Sequence, residues 1–150
     1  SEQLAFCREH HIRFLTYGTL CGGLLSERFL DQPEPTPGSL ETSSLKKYKR
    51  MIDSWGDWEL FGRLLRGLAT VAARHEVSLA NIATRAILDQ AQVAGVIIGC
   101  RLGLSEHRTD NARVFEITLD ADDWQVIDEA VAGHADLFSV IGDCGDEYRQ

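Results

Sequence analysis

Only two stretches of this 150-residue chain read as β-strands, and the other regular segments read as helix. The first lies in "HIRFLTYGTL" (11–20), where Ile12, Phe14 and Leu15 form an apolar run that breaks at Gly18. The second, "VAGVIIG" (93–99), is short, β-branched and bounded by glycine, the pattern of a fully buried parallel strand. The order is helix, strand, long loop, helices, strand, helix, helix, which implies an α/β fold with helical crossovers between parallel strands. Two such strands cannot bury both faces or protect both edges. The pattern therefore predicts a sheet that needs more strands than these two.

Local signals place the helices. Residues 4–9 read as the end of a helix, and residues 30–42, which hold all three prolines, as a long irregular loop. "SLKKYKRMIDSW" (44–55) predicts an amphipathic helix with Ser43 or Ser44 as N-cap. Asp57 can cap the next, where Leu60, Leu64, Leu68, Val71 and Ala72 recur at helical spacing. Ser78 opens another with Leu79, Ile82, Ala83, Ala86 and Ile87 on its apolar side. Ser105 begins a further helix, and Asp120 with Asp123 starts a last one over 121–132. The tail 133–150 reads as irregular.

Charge and cysteine content narrow the function classes. A net charge of −8 argues against generic binding to nucleic acid or anionic membranes, which needs a basic surface. It leaves room for one phosphorylated ligand held by a few arginines. No stretch approaches the roughly 18 apolar residues of a membrane span, and the opening Ser-Glu-Gln-Leu shows no signal-peptide pattern. Cys7, Cys21, Cys100 and Cys144 show no metal-binding spacing, so reduced thiols in a cytoplasmic protein are expected. "LATVAARHEVSLANIATRAIL" superficially resembles a helix-turn-helix, but its cations are few and its second helix is rich in Ala and Ile. His10, His11 and His75 fall near helix C-termini, where positive charge is favourable. Trp55, Trp58 and Trp124 read as packing residues.

The junction "GCRLGLSEHRTDN" (99–111) takes the second strand through glycines and an arginine into a helix start. A helix N-terminus offers unpaired N–H groups and a positive dipole end to an anion. It is equally the ordinary form of a strand-to-helix turn. Likewise Tyr17 is either a flat face at a strand end or a half-buried strand aromatic. Gly18, Leu20, Gly22 and Gly23 form either a close backbone approach or a flexible turn.

In order and spacing, four stretches resemble the aldo-keto reductases: "HIRFLTYGTLCGGLLSERF" (11–29), "LATVAARHEVSLANIATRAILDQAQVAGVIIGCR" (68–101), "SEHRTDNARVF" (105–115) and "LDADDWQVIDEAV" (119–131). The resemblance implies the C-terminal segment of a TIM (β/α)8 barrel, strands seven and eight with their loops and helices, helix-rich with about two parallel strands. It implies NADP(H) as cofactor and reduction of a small aldehyde or ketone. The family's catalytic Asp, Tyr, Lys and His match no position here, so the isolated chain is expected to be non-catalytic.

The same resemblance assigns cofactor positions. Tyr17 matches the aromatic that stacks on the nicotinamide, and Gly18, Leu20 and Gly22 match the loop along the pyrophosphate, with Arg28 near it. Gly99, Arg101 and Ser105 match the phosphate side, with Arg101 as the candidate for the 2′-phosphate because guanidinium makes forked contacts to phosphate oxygens. His107, Asp110 and Asn111 match residues around the adenosine. Three departures stand out. Glu41-Thr42-Ser43 replaces a region often basic, the turn from Gly99 to Ser105 is longer than in many relatives, and His107 stands where Arg or Gln is usual. Histidine is mostly neutral above its reference pKa of about 6.5, which weakens the preference for NADP. The competing expectation is a non-catalytic barrel module that self-associates or pairs with a separate N-terminal barrel part.

Overall fold

Each of the four longest helices begins at a side chain that accepts a backbone N–H. In a computed structural model, which describes residues 2–100, 103, 104 and 106–142, Thr42 caps α2 (Ser43–Trp55), Asp57 caps α3 (Trp58–His75) and Ser78 caps α4 (Leu79–Leu88). Asp120 caps α6 (Ala121–Val131) in a full capping box with Asp123. Their chain-order companions are α1 (Glu2–Glu9), α5 (Arg108–Ala112) and α7 (Leu137–Ile141).

The expected α/β build is present, helix-rich with two parallel strands. β1 (Phe14–Tyr17) pairs with β2 (Val93–Ile97) in the register Leu15↔Gly95, Thr16↔Val96 and Tyr17↔Ile97. α4 packs against β2 and α3 against both α4 and α6. Gly67 allows the α3–α6 approach, because a Cβ there would lie 2.7 Å from that of Ala130. The core runs through Leu24, Leu45, Phe61, Leu65, Val71, Leu79, Ile82 and Ile127. The apolar stripe of α3 is thus centred on Phe61 and Leu65, while Leu60 and Leu64 are half-buried. All three tryptophans pack against this core, as expected.

Four expectations need correction. Thr42 replaces Ser43 and Ser44 as the cap of α2, because its side chain accepts the Leu45 N–H at 3.1 Å. The helix expected from Ser105 starts only at Arg108, with no side-chain cap bond from His107, and Ser105 lies outside the described residues. The tail is not wholly irregular, since Asp136 caps α7 and Ala135 N–H donates to Trp55 C=O at 2.7 Å. Finally, β2 is not fully buried: Ile97 is 55% exposed, with Leu15 at 66% and Tyr17 at 72% beside it. The sheet holds two strands among the described residues, and helices cover one side of it.

Candidate functional site

β1 delivers Tyr17 to its C-terminal end, and Gly18 turns the chain there with φ +74°. A Cβ on Gly18 would overlap the Tyr48 hydroxyl, so the glycine lets α2 come close to the strand end. The chain then makes a turn over Cys21–Gly23, in which Gly22 also holds a positive φ of 64°. Leu20 is half-buried against the core. Tyr17, Gly18 and Cys21 border an open cavity of about 540 Å³, walled by Tyr48, Met51 and Trp55 of α2, Phe61 and Leu64 of α3, and Leu137 of α7. Lys47 also lines it. Burial pushes the Cys21 thiol up to about 11, so it is no ready nucleophile at neutral pH.

Arg28 is exposed, and its guanidinium lies 5.4 Å from the centroid of the Phe29 ring. Its neighbour Glu27 reaches the start of α4, accepting the Leu79 N–H at 2.7 Å. Asp110 meets the same helix end. The Ser78 hydroxyl donates to Asp110 Oδ2 at 2.8 Å, and Asn81 Nδ2 donates to the Asp110 carbonyl at 3.0 Å. Asn81 Nδ2 also donates to Ser78 Oγ at 2.9 Å. Asn111 is half-buried and donates its N–H to the His107 carbonyl at 2.8 Å. His107, Gly99 and Cys100 are exposed.

The expected site residues therefore fall into two groups. Tyr17, Gly18, Leu20 and Gly22 surround the strand end, while Asp110 and Asn111 lie on α5 beside the start of α4; Arg28 is tied to that start through Glu27. Arg101, Ser105 and Cys144 lie outside the described residues. The holding roles of Glu27 and Asn81 escape sequence reading. Asn81 stands at the third helical position after the Ser78 cap, but its amide acts by donating to Asp110 29 residues away; Glu27 likewise carried no signal, because its partner is 52 residues away.

Two charge clusters, each around a buried side chain, lie elsewhere. Lys49 Nζ donates to Glu34 at 2.6 Å and to Asp53 at 2.5 Å, pinning the proline-rich loop to α2. Asp123, wholly buried, accepts from His75 Nε2 at 2.7 Å and pairs with Arg74 at 2.8 Å. Among the described residues, no three His, Cys, Asp or Glu side chains cluster as metal ligands, and no helix is long and apolar enough to cross a membrane. A family model described as Aldo/keto reductase family matches residues 1–132. No curated protein matches the sequence.

Proposed function

The chain belongs to the aldo/keto reductase family, and on that premise we propose that residues 1–150 form the NADP(H)-binding C-terminal part of one oxidoreductase domain. Its two parallel strands and their helices are a partial α/β barrel. The domain reading takes 133–150 as the tail beyond the barrel helices. Bound here, NADPH supplies the hydride that reduces an aldehyde or ketone to an alcohol.

The residues present suit such a cofactor. Tyr17 stands at the C-terminal end of a parallel strand, where sites form in barrels, and keeps 72% of its surface exposed for a flat ring to cover. That is the observation that carries the reading. Gly18 and Gly22, both at positive φ, let backbone run close to a pyrophosphate, with Leu20 and Arg28 on the same loop. Asp110 spends Oδ2 on Ser78, which leaves Oδ1 to accept from the adenine amino group. In this reading His107 and Asn111 flank the adenosine, Gly99 and Ser105 belong to the phosphate side, and Arg101 takes the 2′-phosphate. The protein acts in the cytoplasm, and the family's catalytic Asp, Tyr, Lys and His are supplied outside this chain.

Calorimetric titration of the chain with NADPH and with NADH tests this. The expected result is tighter NADPH binding that falls on Tyr17→Ala and on Arg101→Ala. Absence of binding by either dinucleotide overturns the reading for this chain.

One observation favours a second reading, a non-catalytic assembly module. Leu15, Tyr17 and Ile97 form an exposed apolar face on a two-stranded sheet, which suits a second copy or a separate N-terminal barrel part. A light-scattering mass above one chain, without dinucleotide binding, supports it; a monomer that binds NADPH overturns it.

A further inference from the structure

The start of α4 collects one carboxylate from each half of the candidate cofactor site. From the loop after β1 comes Glu27, accepting the Leu79 N–H at 2.7 Å, next to Arg28. From α5 comes Asp110, accepting the Ser78 hydroxyl at 2.8 Å. Both acids stand at the positive end of a ten-residue helix, where negative charge is favoured.

The hydrogen-bond inventory at this point is unusually full. Ser78 Oγ has one proton and two acceptor positions. It donates to Asp110 and accepts from Asn81 N at 3.3 Å and Asn81 Nδ2 at 2.9 Å. Asn81 Nδ2 has two protons; one goes to Ser78 Oγ and the other to the Asp110 carbonyl at 3.0 Å. Asn81 is only 2% exposed, so these bonds form out of water, where leaving any of them unmade is costly. A group with all its positions used fixes its partners in direction as well as distance. α5 is a five-residue helix whose N-cap residue, His107, makes no side-chain cap bond, the Glu106 carboxylate accepting the Arg108 N–H at 2.8 Å instead. It is too short to set its own orientation.

We infer that Ser78, Asn81 and Glu27 are positioning residues that register the two halves of the dinucleotide site against each other through the start of α4. The inference rests on the cofactor reading above. Asn81 and Ser78 orient the adenosine side through Asp110, and Glu27 orients the pyrophosphate side through the Arg28 loop.

The test titrates the chain and its variants with NADPH and with adenosine 2′,5′-bisphosphate, which lacks the pyrophosphate-linked nicotinamide end. Glu27 is exposed, so Glu27→Ala is the variant that keeps the fold, checked by its thermal melt. It should weaken NADPH about tenfold, the scale of one lost charge-assisted bond, and leave the bisphosphate within about twofold. Glu27→Gln keeps an acceptor oxygen and should recover most of the loss. Asn81→Ala should weaken both ligands, with faster amide exchange across residues 107–112 but not across 24–29. A Glu27→Ala chain that melts normally and binds NADPH like the parent overturns the inference while leaving the cofactor reading intact. A parent chain that binds neither ligand overturns the cofactor reading, and this inference with it.

Discussion

His75 Nε2 lies 2.7 Å from Asp123 Oδ2, joining the last turn of α3 to the first turn of α6 across 48 residues of sequence. The carboxylate is wholly removed from solvent. Burial alone would raise its pKa, but the bonds from His75 and the Asp120 N–H, with the charges of His75 and Arg74, outweigh it and hold it below the ordinary value. Oδ1 takes no aligned hydrogen bond, so Arg74 at 2.8 Å acts on it by charge. A carboxyl held low stabilises the fold above its unfolded pKa of about 3.9, and that stability is lost as pH falls through the lower folded value. Asp123→Asn should cost about 2–3 kcal/mol at pH 7, the scale of a buried charged hydrogen bond and part of a capping box. Urea melts from pH 7 down to 3 check this: the parent should lose stability more steeply in acid than the variant.

Lys49 ties the proline-rich loop down. Burial lowers its pKa, but the bonds to Asp53 and Glu34 and their charges more than compensate, leaving it above the ordinary lysine value. The stabilisation is therefore fully present below about 10.4 and is lost only as pH rises through the folded pKa. Glu34 is itself 58% exposed, so Glu34→Gln should cost under about 1 kcal/mol. Limited proteolysis should nonetheless cut residues 31–41 faster in that variant than in the parent.

Gly18→Ala should be more damaging. The new Cβ would overlap the Tyr48 hydroxyl and sit 2.9 Å from its Cζ, at a φ of +74° that alanine rarely adopts. A thermal melt should register a loss of about 1–3 kcal/mol. On the cofactor reading, NADPH affinity should fall with it.

Thiol labelling should be selective. Cys100 is exposed and Cys7 buried, while Cys21 is held up at about 11 by burial. Brief treatment with an alkylating agent at pH 8, read by peptide mass mapping, should modify Cys100 well ahead of Cys21 and Cys7. Equal labelling of Cys21 and Cys100 would contradict the placement of the Cys21 turn against α2.

Helix starts were legible where a cap precedes an apolar period. Asp57, Ser78 and Asp120 all act as the spacing predicts. Thr42 was missed in favour of its serine neighbours because three consecutive hydroxyls satisfy the same local rule, and only the direction of the backbone selects one. α7 was missed because five residues carry too little periodicity to stand out from a loop. Family likeness picks out Tyr17, Gly18 and the 99–111 junction as candidate positions, whereas Glu27 acts across 52 residues.

What residue order alone settled, then, is local: the caps at Asp57, Ser78 and Asp120, the apolar side of α4 and the two strands. Each depends on neighbours within a few residues, where backbone geometry repeats. Tertiary structure decided which side of the sheet stays open, that His75 finds a buried acid while the buried Lys49 reaches two exposed ones, and that two distant carboxylates share the start of α4. Those outcomes depend on which helix ends come together once the core closes, and no spacing rule along the chain encodes that meeting.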